Sequence, residues 1–428
     1  MKFRDASAST RLLSRRHGAV LLVIGVLVLA FNLRTAVTSL PPVFPELESA
    51  LHLSTSALAL LAAIPVLCFG VFSGSAAPLS RRFGEERVLG AALLLLAAGL
   101  LLRSISPAAL LFPGTIVGSA AIALMNVLLP SLVKRRMPER AGLLIGLYLL
   151  MLAAGAIVAS FLAVPVFNAV AGRTAGSLTA GTGGSSAAIR VTLGLWAGPA
   201  LVAALIWLPQ LRHRTLPEDM RAAGGSRMRA GALAMGRSAL AWQVTLFMGL
   251  QSLSYYATLS WFPTMFRDRG VSAAHAGDLL ALMNLGNALT ALLLPVLAHR
   301  AADQRRLAVV SMLATGAGLG GAGFGPPGLA AGFMLLLGLG QGATLGLGIF
   351  YTMARAPDPV TAASLSAFAQ GVGYLIASAG PLTIGFLHDA TGAWTVPLLV
   401  LLGLAVVQAI TGWLAGRALT VRAAGSGY

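Results

Sequence analysis

The stretch 18–40, GAVLLVIGVLVLAFNLRTAVTSL, decides the fold. It is apolar from Gly18 to Phe31 and reaches Leu40 with one charge, Arg34. A helix needs roughly 20 apolar residues to cross a hydrocarbon core about 30 Å thick, and this run supplies them. Arg11, Arg15 and Arg16 precede it and imitate a secretory leader. The run is too long for one, however, and Asn32-Leu33-Arg34 is not a small-residue cleavage site. It reads as an uncleaved first membrane span.

Eleven similar runs follow. With the first, they predict spans at 18–40, 55–77, 87–105, 108–132, 141–168, 190–209, 241–265, 273–298, 307–325, 329–354, 361–386 and 394–416. The composition agrees, with 57% hydrophobic and only 10% charged residues, against about 25% charged in soluble domains. The alternation of an outer-membrane barrel is absent. The expected fold is therefore all-α and polytopic, with the lipid bilayer as its surroundings. A net charge of +17 would suggest nucleic acid in a soluble protein, but here the basic residues are spread over loops without aromatic interleaving. Assigning the tails and even-numbered connections to one side puts 24 Lys and Arg there and 5 on the other, Arg103 among the 5. Arg34 is left as the single basic residue inside a span. Basic loops stay cytoplasmic, so both termini are expected there, in the inner membrane.

The spans divide six and six. The organisation expected is a tail 1–17, a first half 18–209, a basic linker 210–240, a second half 241–416 and a tail 417–428. The stretch 172–189, rich in Gly, Ser, Thr and Ala, reads as a flexible outer loop. A shift of 218 residues lays Pro45 on Pro263, Ser54 on Ser272, Arg82 on Arg300 and Arg87 on Arg305. Two six-span halves in a parallel repeat are the mark of the major facilitator architecture, whose substrate site lies between the halves near mid-membrane.

Arg34 is the main chemical signal. A charge inside a span costs roughly 2.5–3.5 kcal/mol on insertion scales and marks a functional site by default. At about 100° per residue, Asn32, Arg34, Thr35, Thr38 and Ser39 share one half of the helix. That half faces a cavity, or Arg34 snorkels to the outer headgroups. Other polar residues form stripes: Gln251, Tyr255 and Thr258; Gln341 and Thr344; Ser366, Gln370 and Tyr374; Asn284 and Asn287; Ser119 and Asn126. Each lines a cavity or bonds neighbouring helices. The acids nearest the spans, Glu46, Glu48, Asp278 and Asp389, sit near outer ends. Arg34 therefore has no obvious acidic partner at its depth, unless Glu46 or Asp389 folds back, and its fork favours an anion or strong acceptor. One cysteine, Cys68, excludes an intramolecular disulfide. There is no metal-ligand helix, no P-loop and no nucleophile with a paired base. No enzyme activity, metal or cofactor is expected, nor any obligate protein partner.

These strings resemble one known group. Phe31-Asn32-Leu33-Arg34 with Thr38-Ser39 and Pro42, Ala77-Pro78-Leu79 with Arg81-Arg82-Phe83-Gly84, and Met125 to Ser131 are similar to the cyanate/2-nitroimidazole transporter family, a branch of the major facilitator superfamily. Gly249 to Leu253 with Tyr255-Tyr256, Gly340-Gln341-Gly342, and Ala369 to Leu375 resemble it too. Thr35 departs from the family's usual Pro, and Glu85-Glu86 from the superfamily's usual loop acid. The resemblance implies a secondary carrier of a small organic solute, such as cyanate or a nitro-heterocycle, working by alternating access. One unpaired charge amid polar stripes makes Arg34, Asn32, Asn126, Gln251, Tyr255, Gln341, Gln370 and Tyr374 the expected substrate contacts, and Arg81, Arg82 and Gly84 are the expected gating loop. Efflux of neutral or acidic drug-like compounds is the alternative within transport. A sensor without transport would need a soluble module larger than 210–240.

Overall fold

A computed structural model describes residues 2–175, 183–212 and 231–421. Among these residues every regular element is helical. The first span is one helix, Lys2–Thr38, so it begins where a tail was expected. Pro41 and Pro42 end it with a 3-10 turn, and Phe44–Leu51 continues beyond. The second span is Thr55–Phe72, extended past a 3-10 turn by Ala76–Phe83. The third, fourth and fifth are Glu85–Ile105, Pro107–Arg136 and Ala141–Ala175. The sixth is broken into Gly183–Gly194 and Ala197–Trp207. The seventh to twelfth are Ala239–Asp268, Ala273–Arg300, Arg305–Phe324, Ala330–Ala354, Pro359–Thr391 and Thr395–Ala415.

Two expectations change. The described parts of 172–189 are helix, not loop: the fifth span runs to Ala175 and the sixth starts at Gly183. Residues 176–182 lie outside the described set, as do 213–230 of the linker and 422–428 of the tail. Among the described residues, eleven helical segments are long and apolar enough to span a bilayer. The seventh span, Ala239–Asp268, is not among them although it has 30 residues. Its middle turns carry Gln251, Ser252, Ser254, Tyr255, Tyr256, Thr258 and Ser260, most of them buried. Polar residues inside a bilayer are tolerated where they face other helices or a cavity.

The packing repeats after six spans. Within the first half, the first span packs on the fifth, the second on the fourth, the third on the fourth and sixth. In the second half the seventh packs on the eleventh, the eighth on the tenth, the ninth on the tenth and twelfth. The two main contacts between halves, second on eleventh and fifth on eighth, exchange under the same step. The 218-residue offset has a physical counterpart at the caps. Ser54 accepts a hydrogen bond from the Ala57 amide, and Ser272 from that of His275. A serine hydroxyl three residues ahead of an orphan N–H is the common way to start a helix.

Helices with little hydrophobic drive between them approach through small residues. A Cβ at Gly338 would strike the backbone carbonyl of Met283 across the eighth–tenth contact, and one at Gly155 that of Phe31. Gly403, in the twelfth span, has open space around it. Gly338→Ala is expected to lower stability by about 1–3 kcal/mol, as overpacking does. Gly403→Ala should be neutral or stabilising by up to about 1 kcal/mol, as Gly→Ala is within a helix. Thermal unfolding in detergent measures both.

Candidate functional site

The first span brings Arg34 to the interface of the halves. Its helix is continuous through Thr35, with the Thr35 hydroxyl donating to Asn32 O at 3.2 Å and that of Thr38 to Arg34 O at 2.9 Å. The half-buried Arg34 reaches across to the seventh span. There its Nη1 donates to the Tyr256 hydroxyl at 2.9 Å. The guanidinium carbon lies 5.5 Å from the Tyr255 ring centre and 5.7 Å from that of Tyr256, within cation–π range. The two rings meet edge to face at 5.2 Å. The Tyr255 hydroxyl donates to Asn284 Oδ1 at 2.8 Å, which fixes its ring. Arg34 thus points inward onto the opposite half and does not snorkel.

Arg34, Gln251, Ser252, Tyr255, Tyr256, Asn287, Leu345 and Tyr374 line a cavity of about 40 Å³. Arg34 is the one ionisable charge in that lining at neutral pH. Asn287 Nδ2 has no partner among the described residues, so an amide donor is also available. Tyr374 packs edge to face on Phe69 of the first half at 5.8 Å. A cation with spare fork donors, phenol hydroxyls and aromatic walls suits a small planar acceptor or anion.

The predicted residues divide evenly. Arg34, Gln251, Tyr255 and Tyr374 line the cavity. Asn32 turns the other way, its Nδ2 donating to Val28 O and to Pro199 O of the sixth span. Gln341 is buried between the seventh and tenth spans, donating to Ser254 at 3.2 Å and Thr258 at 3.4 Å. Asn126 faces the Tyr148 hydroxyl at 3.5 Å. Gln370 is exposed one turn from Tyr374 and donates to Ser366 at 2.8 Å. Tyr256, Ser252 and Leu345 also line the cavity and are missing from the sequence-derived stripes, whereas Asn287 is on one but was not among the expected substrate contacts. Tyr256 was legible: it follows Tyr255, but at about 100° per residue it falls off the stripe through Gln251, and the cavity takes a wider arc of the helix. One statement about charge is corrected. Arg103, counted with the outer loops, lies within the third span and is 2% exposed.

Beyond Arg34, the halves close on each other at the end away from the termini. Arg267 of the seventh span pairs with Glu46, its Nη1 donating to both carboxylate oxygens at 2.8 and 2.9 Å. Ser56 donates to Asp389 of the eleventh span at 2.9 Å. Phe44 packs on Trp261, with ring centres 6.0 Å apart. The acids that could have folded back onto Arg34 are therefore engaged here. At the other end, Gly84 has φ +88°, which favours glycine, and its N–H caps Ser80 O at 2.9 Å. Arg81 is exposed, and Arg82 sits over the Phe83 ring at 5.2 Å. Glu85 and Glu86 pair with Arg135 at 3.1 Å and Arg136 at 3.2 Å, tying the third span to the fourth.

Residues 22–381 match the profile of the Major Facilitator Superfamily. The chain is 40% identical to the 2-nitroimidazole transporter of Escherichia coli strain K12, over 94% of this chain and 97% of that protein. It is 30% identical to the cyanate transport protein CynX of the same organism, over 91% and 95%. Among solved structures it is similar to a bacterial homologue of the human lysosomal transporter Spinster, inward-facing and unoccupied. The TM-score is 0.75 at 16% identity, covering 95% of this chain and 97% of that one.

The Glu46–Arg267 pair joins the halves with two hydrogen bonds and is mostly buried, so it should register in stability. A cycle of Glu46→Gln, Arg267→Gln and the double variant is expected to show a coupling of about 1 kcal/mol in thermal unfolding. Additive losses would mean that the contact does not hold the closed end.

Proposed function

The chain belongs to the Major Facilitator Superfamily, and on that premise we propose that its solute is a small planar organic anion or strong hydrogen-bond acceptor anchored by Arg34. Its named relatives are a 2-nitroimidazole transporter and a cyanate transport protein. The observation that carries the proposal is the cavity lining: one cation from the first half, set against phenols and amides all from the second, with no carboxylate in the wall. Cyanate is an anion, and a nitroimidazole offers two nitro oxygens on a flat ring. Both would answer the same fork. Gln251, Tyr255 and Tyr374 are proposed contacts, joined by Tyr256 and Asn287.

A ligand that takes Arg34 competes with the Tyr256 hydroxyl for it. The contact between halves would then run through the solute, and its occupancy would bias which end closes. The carrier is read as lying in the cytoplasmic membrane with both termini inside, because the end that bears the termini also bears most of the basic residues. On that orientation the closed end is the outer one, and the state described faces inward. Arg81, Arg82 and Gly84 then form the cytoplasmic turn that moves with the first half.

Binding is read as the thermal shift produced by cyanate and by 2-nitroimidazole, and transport as counter-flow in proteoliposomes. Arg34→Gln is expected to weaken the better ligand about 10- to 100-fold, the usual worth of hydrogen bonds to a charged group. Arg34→Lys keeps the charge, loses the fork and should fall between. A full thermal shift in Arg34→Gln would sink the assignment. For orientation, green fluorescent protein fused after Gly416 should fluoresce, and alkaline phosphatase at the same point should be inactive. The opposite result would invert the reading.

A further inference from the structure

A second buried cation lies outside the transport cavity. Arg103 ends the third span at 2% exposure, and its Nη1 donates to Ala36 O at 3.0 Å. The first span ends there: Ser39 N–H bonds Thr35 O at 3.2 Å, and Pro41 and Pro42 have no N–H to offer the carbonyls behind them. Arg103 therefore serves one carbonyl of that helix end, whose dipole favours a cation. The other edge of the guanidinium, Nε with Nη2, is fully buried and has no hydrogen-bond partner among the described residues. That edge is the fork by which arginine takes an anion with two parallel N–H bonds. Arg103 lines a small void of about 10 Å³, with Ala36, Val37, Pro65, Thr115, Ser119 and Ile122 among its other walls and no Asp or Glu. Close glycine contacts between the third and fourth spans wall it: a Cβ on Gly99 would lie 2.5 Å from Gly118 N. Buried charges are paired or coordinated, and among the described residues no carboxylate pairs with this one.

We propose that this void is a resident site for a small monovalent inorganic anion of the halide class. The Arg103 fork holds it, and the Ser119 hydroxyl lies in the same wall as a further donor. A water would satisfy the donors but leave the charge uncompensated. A divalent oxyanion is too large for a space closed by backbone contacts. The site shares no lining residue with the transport cavity, so it does not depend on the solute proposed above.

The test is thermal unfolding of the full chain in detergent as sodium gluconate is replaced by sodium bromide at fixed ionic strength. The expected result is a saturable rise of about 2–8 °C, the order a bound ligand gives well above its Kd. The rise should survive in Arg34→Gln and vanish in Arg103→Lys, which keeps the charge without the fork. A flat wild-type curve overturns the site and leaves Arg103 to water. An unsaturated rise shared by Arg103→Lys is a general salt effect and also overturns it. A rise lost in Arg34→Gln moves the anion to the transport cavity. Should Arg103→Lys fail to fold, anomalous scattering from bromide-soaked crystals decides, and the absence of a peak at Arg103 counts against the proposal.

Discussion

The contact between Arg34 and Tyr256 organises this protein. It joins the halves through a charge and a neutral hydroxyl. A carboxylate in the same place would neutralise the guanidinium permanently, and any anionic ligand would then have to displace it. Phenol hydroxyls and ring faces stabilise a cation without cancelling it. Three of the chain's six tyrosines, Tyr255, Tyr256 and Tyr374, line that cavity. They lower the cost of keeping the charge inside the bilayer without neutralising it. The acids are placed accordingly. Glu46 and Asp389 hold the closed end, and Glu85 and Glu86 tie the third span to the fourth at the other.

Around this contact the scaffold is repetitive and tight. Each principal helix pair recurs six spans later, and the two interfaces between halves exchange under the same step. Glycines at the crossings bring backbones together where side chains would hold them apart. Such packing suits halves that move as bodies, because the space between them is the part that is not filled. The seventh span shows the cost of that design. It borders the cavity with so many polar groups that it is less apolar than its neighbours, and other helices cover most of it.

Much of this is legible in the sequence, for identifiable reasons. Long apolar runs give the spans directly, since few residues other than apolar ones survive in lipid. The offset between halves is visible because Ser54 and Ser272 do the same capping work. Arg34 stands out as a charge within a span, and Gln251, Tyr255 and Tyr374 as polar residues on stripes. Asn32, Gln341 and Asn126 looked equivalent to them and are not. Helical angle tells which residues share a face but not which neighbour the face meets, and these three meet helices or their side chains. Tyr256 was masked by a stripe drawn too narrow. Arg103 was masked by its position near a span end, where a basic residue reads as a loop residue until its burial is known.

The placement of Arg34 also bears on how the membrane potential acts. The field drops mainly across whichever end is closed, so a fixed central charge samples a different potential in each state. Moving one elementary charge through the whole field is worth about 2.3 kcal/mol per 100 mV. With a monovalent anion bound, Arg34 and its ligand sum to zero, and the loaded carrier changes state almost unaffected by voltage. Empty, it carries the uncompensated charge. For an anionic solute, the potential therefore falls on the return of the unloaded carrier, and it favours the state in which Arg34 is in contact with the negative side.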